Sequence, residues 1–103
     1  FNNVFIITIA GDFIFNYTKD AELLFDNVIK NSPEAIGVNC KNLTTLDSSG
    51  LGIFIKFLRT AEEYGFALHF IDISDQVSAL FDLSKLSYMF DVMSRDEFND
   101  LYL

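Results

Sequence analysis

Residues 46–65 read LDSSGLGIFIKFLRTAEEYG, and the first seven of them place an acid, two adjacent hydroxyls and two glycines where a strand gives way to a helix. The helix is the clearest element in the chain. Leu51, Phe54, Ile55, Leu58 and Ala61 recur at the spacing of one helical face, with Lys56, Arg59 and Glu63 opposite. Ile53 and Phe57 widen the apolar arc, which predicts a deeply packed helix, with a docking surface as the alternative. Gly65 fits the left-handed position that follows a helix end.

Moving upstream, residues 36–40 (IGVNC) alternate well enough for a strand, and the polar residues 41–45 read as a connection into the junction. Residues 4–10 (VFIITIA) are β-branched and apolar, as in a strand buried on both faces, and Gly11-Asp12 breaks it. Residues 13–15 continue past a bend. Asn16 or Thr18 then caps a helix whose Ala21, Leu24, Phe25 and Val28 share a face; Lys30 suits its last turn and Pro33 stops it.

Downstream, residues 66–73 (FALHFIDI) predict a third strand, followed by a cap at Ser74 or Asp75 and a short helix carrying Val77, Leu80 and Phe81. A turn over residues 84–87 leads to a short edge strand at 90–93. Ser94 and Glu97 form a capping box for a last helix that buries Phe98, Leu101 and Tyr102. Strands alternating with helices predict one α/β domain, with a mixed, mainly parallel sheet and about four helices. The expected core holds Ile7, Ile9, Leu24, Val38, Leu51, Phe54, Leu58, Leu68, Phe70 and Leu80. The serines then stand at a strand's carboxyl end, where sites in open α/β sheets gather.

Length and charge narrow the function. The 103 residues, half of them hydrophobic, suffice for one core and are too few for two ordinary domains. A net charge of −8, from fifteen carboxylates against seven basic residues, argues against nucleic acid and anionic lipid as partners. No apolar run approaches the roughly 20 residues that span a bilayer. The one cysteine, Cys40, has no internal disulfide partner and no Cys/His cluster for a metal, which fits a cytoplasmic protein. The chain opens at Phe1 without a leader-like pattern, and a few native residues are expected to precede it.

Three uses of the serines compete. A hydrolase nucleophile needs glycines two residues before and after it; Ser48 is flanked by Leu46 and Gly50, Ser49 by Asp47 and Leu51, so both fail. The single imidazole, His69, falls inside a predicted strand and reads as a half-buried or edge histidine, so no enzymatic activity is expected. A nucleotide-binding loop lacks its Gly-Lys-Ser/Thr ending and its GxGxxG spacing, and Asp47 repels a phosphate there. No cofactor or metal is implied. The third use makes serine a phosphoacceptor: a hydroxyl at a helix start beside Gly50 is accessible, and the helix end tolerates the added charge of about −1.5 to −2. Simple capping of the helix by Ser48 or Ser49 remains compatible with the same residues.

The segment NLTTLDSSGLGIFIKFLRTAEEYGFALHFIDISDQVSALFDLSKL, residues 42–86, resembles the STAS domain of bacterial anti-sigma factor antagonists, with Asp-Ser-Ser-Gly-Leu-Gly between a strand and a helix and a later Leu-Phe-Asp-Leu-Ser run. VFIITIAGDF, residues 4–13, matches the family's strand and glycine-acid turn more weakly. The resemblance implies a STAS-like fold, its first native strand shortened by the start of the chain. It also implies a switch in which an anti-sigma factor serine kinase phosphorylates Ser49. The unphosphorylated form binds that kinase and frees a sigma factor, the phosphorylated form releases it, and a phosphatase resets the cycle. Asp12, Asp47, Ser48, Ser49, Gly50 and Leu51 are the implied partner-binding residues, and Gly50 and Gly52 are expected to shape the start of the helix. Well-known members carry glycine, acid, apolar, acid after the first strand; here Gly11, Asp12 and Phe13 are followed by Ile14 in place of the second acid. Residues 13–15 read as continued core, with an apolar docking edge as the alternative.

Overall fold

A computed structural model describes residues 3–85 and 87–103 of the chain. The order is β1 (Val4–Thr8), β2 (Gly11–Phe13), a 3-10 turn (Phe15–Tyr17), α1 (Thr18–Ile29), β3 (Ala35–Asn39), β4 (Leu43–Leu46), α2 (Ser48–Tyr64), β5 (Ala67–Ile71), α3 (Asp75–Leu83), a second 3-10 turn (Ser87–Met89), β6 (Val92–Met93) and α4 (Arg95–Tyr102). β1, β3, β5 and β6 form one sheet in the order β1-β3-β5-β6, and β2 pairs with β4 in a second. Every pairing between these strands is parallel. Parallel neighbours need a crossover, and α1, α2 and α3 supply the ones within the larger sheet. The α/β architecture, mainly parallel with four α-helices, is therefore the one the alternation of patterns predicts.

Strand periodicity decides what each face buries. Leu68 and Phe70 of β5 join the main core, whereas His69 and Ile71 point to the other side of the sheet. Phe54 of α2 anchors the main core, its ring 4.9 Å from Phe70, 5.2 Å from Phe13 and 6.2 Å from Phe81. α1 joins through Phe25, stacked on Phe57 at 3.9 Å. On the opposite face, α4 lays the buried Phe98 over Gly37 of β3, where an added Cβ would strike Ile71 and crowd the Phe98 ring. The deep packing of α2 is confirmed: Phe54, Phe57 and Ala61 are buried and Gly65 adopts the left-handed φ of 76°.

Several local expectations are corrected. β1 ends at Thr8; Ile9 still donates from its N–H to the Asn39 carbonyl, and Gly11, with φ 73°, turns the chain into a separate strand. Residues 43–45, read as part of a polar connection, form β4 together with Leu46, held against β2 with Leu43 and Leu46 buried inward. Neither Asn16 nor Thr18 caps α1. Tyr17 occupies that position without a side-chain bond; the preceding 3-10 turn carries the chain into the helix, the Tyr17 N–H donating to the Ile14 carbonyl and Thr18 Oγ1 donating back to Phe15 O at 3.0 Å. Leu24 is 47% exposed and Leu101 62% exposed, so neither is core. Leu51, Leu58 and Leu80 are half-buried, packed against the core. Ser74 caps α3 and Ser94 caps α4 as expected, the Ser94 hydroxyl accepting from Glu97 N and donating to Glu97 Oε1. In the turn over residues 84–87, Leu86 lies outside the described residues, as does Phe1.

Candidate functional site

The start of α2 is set by Asp47, with extended backbone and Oδ1 accepting the Gly50 N–H at 2.9 Å. Capping therefore belongs to the acid and not to either serine, which corrects that expectation. Ser48 and Ser49 are the first two helical residues, Ser48 exposed and Ser49 half-buried, and neither hydroxyl has a hydrogen-bond partner among the described residues. The second oxygen of Asp47 accepts the Phe15 N–H at 3.1 Å. One carboxylate thus joins the helix start to the chain leaving β2. The Gly50 N–H, aided by that of Phe15, outweighs desolvation and holds the Asp47 carboxyl below its usual range.

Gly50 is required where it stands. A Cβ there would run into the Phe13 carbonyl oxygen and crowd the Phe13 ring and Leu46. The first turn of α2 therefore lies directly on β2. Gly52 differs, since it is exposed and a Cβ on it would meet nothing within 4 Å.

Asp47, Ser48 and Leu51 border a shallow depression of about 250 Å³ completed by Leu80, Leu83 and Ser84 of α3 and its end. Leu83 is 78% exposed. The helical period missed these α3 residues as site neighbours; the Leu-Phe-Asp-Leu-Ser run, residues 80–84, was the available signal. Asp12 lies elsewhere. It accepts from Thr44 Oγ1 at 3.0 Å and borders a larger groove of about 490 Å³ between β1, β2 and α1, with Ile7, Tyr17 and Leu24 among its walls. The structure thus brings Asp47 to Leu51 together and sets Asp12 on a neighbouring surface. Of residues 13–15, Phe13 is core, Ile14 is half-buried and Phe15 is exposed.

His69 is buried on the α4 side of the sheet, Nε2 2.6 Å from the Tyr102 hydroxyl. Its Nδ1 lies 2.9 Å from Asp91 Oδ2 without making a hydrogen bond. The chain's single imidazole therefore stands across the sheet from both serines. Among the described residues no group of three or more His, Cys, Asp or Glu could hold a metal ion, and no helix is long and apolar enough to cross a membrane.

A parallel sheet with hydroxyls at the start of the helix after β4 defines the class of domain, and comparison gives the family. The STAS domain profile matches residues 1–98, and the chain belongs to the STAS domain family. It is 24% identical over 80 residues to the anti-sigma-B factor antagonist of Staphylococcus aureus, covering 78% of this chain and 74% of that one. The solved structure of the anti-sigma factor antagonist SpoIIAA in its unphosphorylated form superposes with a TM-score of 0.79 at 20% identity, over 96% of this chain and 88% of that one. A sulfate transporter family protein from Wolinella succinogenes gives a TM-score of 0.75 at 20% identity, over 91% of this chain and 80% of that one. At those identities the structural likeness shows the fold.

Proposed function

We propose that this STAS domain is a cytoplasmic anti-sigma factor antagonist, a protein-binding switch and not an enzyme. Unphosphorylated, it sequesters an anti-sigma factor serine kinase and frees a sigma factor. Phosphorylation of Ser49 releases the kinase, and a phosphatase restores the binding form. The observation that carries this reading is the division of labour at the start of α2, where Asp47 does the capping and leaves both serine hydroxyls without a structural task. A phosphate on Ser49 adds about −1.5 to −2 charge at a helix N-terminus, whose dipole favours an anion, so the domain stays folded. The same dianion stands beside the ionised Asp47, and a partner seated over Asp47, Ser48 and Leu51 meets a doubled negative patch. Asp12 and Gly50 complete the proposed contact residues, Gly50 by letting the helix lie on β2.

A second reading draws on the transporter-family likeness: a STAS module within a transport or sensory assembly, or a small-ligand binder, with unmodified serines. One experiment separates the two. The chain is incubated with an anti-sigma factor serine kinase from its source organism and ATP, followed by intact-mass and peptide mass spectrometry. One phosphate on Ser49, abolished in Ser49→Ala and retained in Ser48→Ala, is expected, with Ser49→Asp weakening kinase binding less than true phosphorylation. Phosphate on Ser48 overturns the site; a kinase that binds and transfers none favours the second reading.

A further inference from the structure

The groove of about 490 Å³ between β1, β2 and α1 has an apolar floor: Ile7, Ile9 and Phe13 are buried beneath it. Tyr17, Asp20, Ala21 and Leu24 follow one another at the spacing of one helical face and make its α1 wall. Tyr17 and Leu24 stand exposed there, and the half-buried Ala21 leaves room between them.

The charge of the groove is one-sided. Asp12 and Asp20 line it, and no Lys, Arg or His does. One Asp12 oxygen accepts from Thr44 Oγ1; neither its other oxygen nor the Asp20 carboxylate has a hydrogen bond or ion pair among the described residues. Asp20 suits the first turn of a helix, which explains one acid but not its convergence with Asp12 on the same groove. An anion is repelled by both carboxylates, and a neutral apolar molecule would strip water from them with nothing in return. A bare metal ion lacks ligands, since among the described residues no group of three or more His, Cys, Asp or Glu could hold one. A positive charge on an apolar body satisfies both halves of the groove, and the net charge of −8 on the chain favours its approach.

We propose that this groove binds a small amphiphilic organic cation, an ammonium group with Asp12, Asp20 and the Tyr17 ring as its charge partners, carried on an aromatic or aliphatic body that covers Ile7, Ile9 and Leu24. The volume falls within the roughly 300–1,000 Å³ of small-molecule sites, and a few polar groups among apolar walls is their usual composition. The exposed Tyr17 ring adds a π face for the cation. The site does not depend on Ser49 being the phosphoacceptor: of the proposed partner-contact residues, only Asp12 lines the groove.

The chain has no tryptophan, so indole fluorescence reports the ligand alone. Tryptamine is titrated with the full chain by fluorescence anisotropy, beside tryptophol and indole-3-acetate, which put a neutral and a negative group on the same ring, and its place is mapped by amide chemical shifts. Tryptamine is expected to bind with a Kd below about 1 mM and to shift groove residues. Asp12→Asn and Asp20→Asn should each weaken it about fivefold, tryptophol should bind about twentyfold more weakly, and indole-3-acetate should not bind. Ala21→Leu fills the groove and keeps both charges, so it should abolish binding, while Glu62→Ala on α2 should change nothing. Tryptophol or indole-3-acetate binding as well as tryptamine, aspartate variants that bind as wild type, shifts confined to other surfaces, or no saturation by tryptamine, phenethylamine and hexylamine alike would each overturn the proposal. An acetylated Leu-Lys-Leu amide that binds more tightly than every amine assigns the groove to a basic segment of a protein and overturns it too. The aspartate variants decide the charge even where Ala21→Leu does not fold, and none of these outcomes touches the Ser49 reading.

Discussion

Asp47 and Phe15, 32 residues apart in sequence, are joined by a hydrogen bond of 3.1 Å from the Phe15 N–H to the Asp47 carboxylate, whose other oxygen accepts from Gly50. The acid is a cap and a tie at once: it begins α2 and fixes the chain that leaves β2.

The tie titrates. The folded state holds Asp47 below its ordinary value of 3.8, so its stabilisation is fully present above that value and is lost as pH falls through the lower folded one. Asp47→Asn should melt below wild type at pH 7, with the gap closing as the scan descends below pH 3.8. Thermal melts across that range check it, and parallel curves for the two proteins would count against the tie.

Gly50→Ala should destabilise by about 1–3 kcal/mol, since α2 must lift from the Phe13 carbonyl to admit a methyl group. Equilibrium urea unfolding gives the number. A neutral substitution would mean that the first turn of α2 moves freely over β2.

Phe54→Ala should cost about 3–5 kcal/mol and Leu24→Ala less than about 1, because Phe54 touches rings from three other elements while Leu24 is half in water. Both are apolar residues on helices and both were expected in the core. The contrast shows where sequence patterns stop. A 3.6-residue period marks the apolar face of α1 but not which of its residues the core covers, and Leu24 borders the open groove between β1, β2 and α1. β4 escaped notice for a related reason: four residues, two of them threonine, alternate too briefly to stand out from a polar connection. Three cap-forming residues in a row, Asp47, Ser48 and Ser49, hid which one does the capping, and only the backbone angles decide that. The long stripe of α2, the glycine that ends it and the Ser-x-x-Glu start of α4 were legible because each states its own geometry.

Cys40 should resist alkylation. It is fully buried, its Sγ donating to Val38 O at 3.5 Å, and burial pushes the thiol up to about 12. Iodoacetamide at pH 8 should leave the folded chain unmodified and label it once in urea, as read by intact mass. In the unfolded chain the thiol ionises at lower pH, so its contribution to stability falls as pH rises from about 9 towards 12.

The placement of α4 gives the domain a front and a back. Phe98 fastens it over Gly37 on the sheet face that points away from Phe54 and α2. A tether added beyond Leu103 therefore leaves from the far side of the sheet. The protein can be immobilised or fluorescently labelled at that end, or carried there as cargo, with its serines facing outward.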